Sequence, residues 1–309
     1  MIGSDSGMQK RSPSRRLLAD AFRIPVEQAV SDHYGHKWSV KEFRDMDDLA
    51  SHACAILSDG STPVFVKLSE AANALDQFDV ELAGLKYLAE HSGVLIPSPI
   101  GNITVEGGVI MVLEGAQAVE RTAREWRQIG QTLAQIHCVQ GDYCGFDRQG
   151  YFGPLYQDNR PLGDWLTFYA ERRLWARLME AIDSGNLPTF AIRQVERLIR
   201  RLPNLDIPET VPALLHGDAQ QNNFISTERG AMVIDPAVCY GNPEIDLAYV
   251  DYFQPVPEDV FMGYQEVLPI ATGFRERRDL WRVSAYLAAV TVEGSVHLEK
   301  LVNAVQKYL

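Results

Sequence analysis

The stretch that decides the fold is His216-Gly217-Asp218-Ala219-Gln220-Gln221-Asn222-Asn223. The apolar run Val211 to Leu215 leads into it, and Phe224-Ile225 leads out. Ser226 to Gly230 then reads as a turn, and Ala231 to Ile234 as a returning strand that ends at Asp235-Pro236. A hairpin of this kind folds Asp235 back beside Asn223 and Asp218, although they are well apart along the chain.

The residue types suit phosphoryl transfer. An HxD loop, an Asn five residues after the Asp, and a second Asp closing a hairpin form the active-site set of protein-kinase-like phosphotransferases. Asp218 would accept the proton of an attacking hydroxyl. Asn223 and Asp235 offer hard oxygen ligands for Mg²⁺, which bridges the phosphates of ATP. One amide in place of a further carboxylate limits repulsion of the triphosphate. Asp and Asn are common loop residues, but His-Gly-Asp with Asn at the fifth place arises by chance in only ~0.2% of chains this long.

Outward from this loop, residues 36 to 115 carry mostly β signals. Ala53–Leu57 and Pro63–Leu68 flank the turn Ser58-Asp-Gly-Ser-Thr62 and predict a hairpin, with a third strand at Val109–Leu113. Between them Leu75, Phe78, Leu82, Leu85 and Leu88 recur at helical spacing, closed by Gly93 and Pro97. Glu81 falls on that apolar stripe, where a carboxylate needs a partner. Lys67, at the end of Val64-Phe65-Val66, is the natural one. Kinase-like sites use such a strand lysine and helix glutamate for the nucleotide phosphates.

After Gly115 the chain turns helical. Trp126, Ile129, Leu133 and Ile136 form one stripe, Leu162 to Ile182 is a long segment rich in aromatics and arginine, residues 190–202 are amphipathic, and residues 258–309 are mostly helical. The expectation is an α+β, two-lobed, protein-kinase-like fold: a tail over 1–16, a nucleotide-binding lobe of antiparallel sheet and one helix over 17–115, and a larger, mainly helical catalytic lobe over 116–309. Such arrangements hold ligands between the lobes. Asp246, ahead of Leu247-Ala248, suits an N-cap and, with His216, a bracing place behind the catalytic loop. His137 reads as a packed core histidine.

Composition limits the remaining classes. The 309 residues can bury a sizeable core, and 46% apolar with 23% charged residues is ordinary for a folded soluble chain. With 29 basic against 41 acidic residues the net charge is −12, which argues against nucleic acid as a partner but leaves room for a small phosphorylated ligand. No run has the length of a membrane span, and the polar, basic first sixteen residues lack a signal-peptide core. Cys54, Cys138, Cys144 and Cys239 show no CxxC spacing and read as free thiols of a cytoplasmic protein. Oligomeric state leaves no mark in the sequence.

Three blocks resemble the fructosamine kinase (ketosamine kinase) family, a branch close to the aminoglycoside phosphotransferases. They are Pro63–Lys67 with Phe78–Glu81 and Gly84–Leu88; Gly145-Phe146, Gly153, Gln157–Asn159 and Asp164–Leu174; and His216–Asp218, Asn223 and Ile234–Ala248. The likeness runs from about residue 30 to 309. It implies ATP-dependent phosphorylation of a ketosamine, in family members at the 3-hydroxyl. Asp218 would be the base, Asn223 and Asp235 the metal ligands, Lys67 and Glu81 the phosphate-handling pair, and the segment near Glu114 the adenine hinge. Three features depart from the family pattern. Gln220 stands where the family has a tryptophan lining the substrate pocket. Asp45-Met-Asp-Asp-Leu-Ala-Ser-His52 replaces a glycine-rich phosphate loop, and Ala288–Gly294 lacks a polar asparagine and histidine. The first leaves a kinase of another alcohol as an alternative, whether aminoglycoside, amino alcohol or sugar. The second leaves a weakly active, nucleotide-binding pseudokinase.

Overall fold

The computed structural model describes residues 12–47 and 52–309. The chain divides into two compact units. One comprises the chain up to Asp79 together with Pro97–Gln117, and the other Val80–Ile96 together with Ala118–Leu309.

In the first unit, helix α1 (Asp20–Tyr34) precedes strands β1 (Glu42–Asp45), β2 (Ala53–Ser58) and β3 (Pro63–Ser69). Helix α2 (Ala74–Ser92) runs on into the second unit, and β4 (Pro99–Val105) and β5 (Gly108–Glu114) return to the first. The five strands form one antiparallel sheet in the order β1-β2-β3-β5-β4. The hairpin foreseen at 53–68 is present, with Ala53 opposite Leu68. Helix α1 escaped the sequence reading. Its buried residues Phe22, Val26 and Val30 recur every fourth position and pack on Trp38 and on Val64, Val66, Ile110 and Val112 of the sheet. On α2 the stripe Phe78, Leu82, Leu85 and Leu88 is buried as expected, but Leu75, in the first turn, is 46% exposed. Of the tail expected over 1–16, residues 1–11 lie outside the described residues, and Pro13–Leu18 instead forms a 3-10 turn that buries Ser14 and Leu17.

The second unit is mainly helical. Helix α3 (Ala123–His137) opens on a reciprocal cap between Thr122 and Glu125. A hairpin of β6 (Gly150–Phe152) and β7 (Leu155–Gln157) follows. The long segment foreseen at 162–182 is a continuous helix made of α4 (Trp165–Phe168), a π-wound stretch (Tyr169–Trp175) and α5 (Ala176–Asp183). The wide π turns carry the buried Tyr169 and Arg173. The Tyr169 hydroxyl donates to the Leu280 carbonyl at 2.8 Å, and Arg173 donates to Asn159 Oδ1 at 2.7 Å. Helix α6 (Thr189–Arg201) leads to β8 (Ala213–Leu215), the hairpin β9 (Phe224–Thr227) and β10 (Gly230–Val233), and β11 (Cys239–Gly241), which pairs back on β8. Helices α7 (Glu244–Tyr249), α8 (Asp259–Gln265), α9 (Phe274–Glu293) and α10 (Leu298–Gln306) complete the unit.

Helices α3 and α8 cross on glycines. A Cβ on Gly130 would stand 1.9 Å from the Val260 carbonyl oxygen, and one on Gly263 would stand 2.1 Å from that of Arg127. Among the described residues no helix is long and apolar enough to cross a membrane.

Candidate active site

The site grows from the β8–β11 pair, where Leu215 faces Cys239. The chain leaves β8 at His216, and the next two amides are both held by one carboxylate. His216 N donates to Asp246 Oδ2 at 2.7 Å and Gly217 N to Asp246 Oδ1 at 3.0 Å. Asp246 is fully buried on α7. Its Oδ2 also lies 3.2 Å from His137 Nε2, and the other ring nitrogen of His137 is 2.9 Å from the Tyr264 hydroxyl. A buried acid at the root of the loop is thus satisfied by two amides and an imidazole. His137, taken above as a packed core residue, is buried and also holds this acid.

Gly217 has φ +81°, and a Cβ there would sit 1.9 Å from the Ala237 carbonyl oxygen, so backbone conformation and space both demand glycine. His216 Nδ1 accepts from Asp218 N at 3.2 Å, so the ring proton lies on Nε2, which donates to the Ile234 carbonyl at 3.0 Å. Burial lowers the His216 pKa and keeps the ring neutral. The imidazole therefore ties the catalytic loop to the strand end that carries Asp235.

The β9–β10 hairpin does what its sequence foretold. Phe224 pairs with Val233, and Ile234 N donates to the Asn223 carbonyl at 3.0 Å. Asn223 Nδ2 donates to the Asp218 carbonyl at 2.8 Å, so the amide nitrogen is occupied and Oδ1 is the atom left to accept. Asp235 has φ 51°, and among the described residues no other non-glycine has positive φ. Such strain is characteristic of functional positions. Asp218 itself is half-buried. Gln220 Nε2 lies 3.4 Å from its Oδ2, while Oδ1 is shut off from solvent with no hydrogen-bond partner. Burial, reinforced by the charge of Asp235, pushes the Asp218 carboxyl up to about 7.

Asp235 and the Asn223 amide oxygen, beside Asp218 with its orphaned carboxylate oxygen, offer hard oxygen donors of the kind that fit Mg²⁺. Among the described residues no three His, Cys, Asp or Glu side chains cluster as a metal site.

Of the other expected residues, Lys67 is buried in the central strand β3, opposite Cys54 and Met111, with Nζ 5.6 Å from the Phe78 ring centre. Glu81 is half-buried on α2. Glu114 ends β5 opposite Val64. Its amide donates to Ser98 O at 2.9 Å, and its carboxylate accepts from the Tyr34 hydroxyl at 3.1 Å. The acidic loop is partly accounted for. Asp47 accepts from Ser14 N at 2.9 Å, from Cys54 N at 3.0 Å and from the Ser12 hydroxyl, and Asp45 accepts from Asp47 N. Asp48 lies outside the described residues. Arg121 gave no motif to read, yet it donates to the carbonyls of Gln221, at 3.0 Å, and Phe224, with its guanidinium 4.7 Å from the Trp126 ring centre.

With this geometry in hand, comparison with known proteins is specific. Residues 24–309 match the fructosamine kinase family. A probable ketoamine kinase of Synechocystis sp. is 30% identical over 261 residues, covering 84% of this chain and 87% of that one. The crystal structure of a putative fructosamine-3-kinase from Thermobifida fusca superposes with a TM-score of 0.79 at 31% identity, over 92% of this chain and 98% of that one. An aminoglycoside phosphotransferase structure, 14% identical, has a TM-score of 0.60 over 93% of this chain and 99% of that one, and shows the kinase-like fold. The chain therefore belongs to the fructosamine kinase family, as a two-lobed, kinase-like phosphotransferase that uses ATP and an alcohol acceptor.

Proposed function

We propose that the protein phosphorylates a hydroxyl of a ketosamine, with Asp218 as the base. The observation that carries this reading is the Asp218 carboxyl, with one buried oxygen unpartnered and its pKa pushed up to about 7. A base titrating near neutrality takes a proton from an alcohol more readily than an ordinary carboxylate and still releases it afterwards. Asn223 and Asp235 would hold Mg²⁺, which when bound neutralises charge on the transferring phosphoryl group. Lys67 and Glu81 would handle the nucleotide phosphates, and the backbone at Glu114, whose side chain is turned to Tyr34, would receive the adenine. His216 and Asp246 touch neither substrate nor nucleotide. They fix the loop so that Asp218 meets the hydroxyl in one orientation. The acceptor class is supported by the family match and by the probable ketoamine kinase among the relatives. Gln220, a polar amide beside the base, supports a second reading, an alcohol other than a ketosamine.

The test is turnover of a synthetic fructosamine with Mg-ATP, followed by ADP release, in wild type and Asp218→Asn. We expect the variant to lose about 10³-fold in kcat while keeping its fold and its nucleotide affinity. Undiminished turnover in the variant would refute Asp218 as base. No turnover of any ketosamine by wild type, with turnover of another alcohol, would establish the second reading.

A further inference from the structure

A cavity of about 280 Å³ opens in the second unit beside the base. One wall is the loop after Asp218, beginning with Gln220, whose amide nitrogen lies 3.4 Å from Asp218 Oδ2. The opposite walls are Phe253, Glu293 at the end of α9, and His297. Gln220 is therefore the one side chain that both lines the cavity and reaches the Asp218 carboxylate.

Its chemistry is selective. Glu293 is the one acid among the lining residues. His297 Nε2 lies 2.6 Å from Glu293 Oε2 and fixes the carboxylate, while the Glu293 side chain stays 54% exposed. His297 is packed edge-on against Phe253 at 5.9 Å between ring centres, so acid, imidazole and aromatic ring form one chain of contacts. Lys300 Nζ lies over the Phe253 ring, 5.9 Å from its centre, so this ring already takes a cation.

We propose that this cavity is the acceptor's amine-side subsite: Glu293, steadied by His297, is the counter-ion of the substrate's protonated amine, and Phe253 is its apolar wall. This rests on the ketosamine reading above. In a ketosamine the secondary amine is bonded to the carbon next to the carbonyl, so a hydroxyl presented to Asp218 carries the amine and its substituent only a few bonds away. Gln220 spans that short distance, and the substituent emerges into the cavity. The pocket therefore selects amine-bearing acceptors over neutral sugars and tolerates variation beyond the nitrogen.

The probes are N-(1-deoxyfructosyl)propylamine, a cation at neutral pH, and its neutral N-acetyl derivative. Each is titrated calorimetrically, without ATP, into wild type, Glu293→Gln and Phe253→Ala. We expect Glu293→Gln to bind the amine about threefold more weakly, as befits a partly exposed ion pair, and to bind the N-acetyl compound unchanged. Phe253→Ala should weaken both by about fivefold. Equal effects of Glu293→Gln on the two probes, no effect on either, or no binding of the amine to wild type would overturn the subsite. Turnover with Mg-ATP is scored separately. Charge-selective binding without phosphate transfer leaves the subsite standing and refutes the kinase reading. Transfer without charge selectivity does the reverse.

Discussion

At the scale of single residues, Asp218 carries the sharpest consequences. Its folded pKa of about 7 lies above the ordinary carboxyl value, so between those two pH values the folded chain holds a proton that the unfolded chain has lost. Stability therefore falls as pH rises through that window. Asp218→Asn removes the ionisation, and the variant should be more stable than wild type at pH 8, but not at pH 4, by about 1–2 kcal/mol after discounting for the solvent that still reaches the half-buried side chain. Chemical denaturation at both pH values, in EDTA, checks this. Activity runs the other way. In the proposed reaction the ionised form is the base, and kcat/KM for Mg-ATP, which reports the free enzyme, should rise with pH through about 7 and then level off. Most of the proposed catalytic set was legible in the sequence because kinase-like chemistry fixes residue types at fixed offsets along a loop and a hairpin. The proposed subsite was not, because Phe253 lies far along the chain from the neighbouring pair Glu293 and His297, and they share a cavity only once the chain has folded.

At the scale of elements, the catalytic loop is positioned by α7 and α3 more than by its own strand. Asp246 closes two loop amides and touches His137, and all of these groups are buried or nearly so. Asp246→Ala leaves those donors unpaired and should cost about 3–5 kcal/mol, with a fall in kcat larger than any change in KM. Urea denaturation together with steady-state kinetics separates the two effects. Gly217→Ala should fail more simply, because its Cβ has no room against Ala237. The sequence disclosed Asp246 as a cap but hid the part played by His137. A histidine on an apolar helix face gives no sign of which acid it will meet. Helix α1 was missed for a related reason. Its buried residues are too sparse to outweigh the polar ones around them, and they gain meaning only against the sheet. The π-wound turn at Tyr169–Trp175 lay inside a segment read correctly as helical, since periodicity does not separate one winding from the other there.

At the scale of the whole molecule, a chain of net charge −12 must still receive a triphosphate. The acids that raised this difficulty are partly spoken for, since Asp47 is engaged by Ser12, Ser14 and Cys54 within its own unit. Mg-ATP should therefore bind and stabilise. A rise in Tm of roughly 4–8 °C is expected at a hundredfold excess over Kd, reduced when Mg²⁺ is withheld. A shift of this size without turnover of any alcohol would favour the pseudokinase reading. Helices α3 and α8 have a different bearing on how the protein can vary. They meet backbone to backbone at Gly130 and Gly263, so one added methyl group has nowhere to go except into a displacement of the whole of α3, which ends at His137. Mutational tolerance in this enzyme should thus be poor at two positions with no chemistry of their own. A library scanned at Gly130 and Gly263 should return almost only glycine, while many exposed loop positions accept most residues.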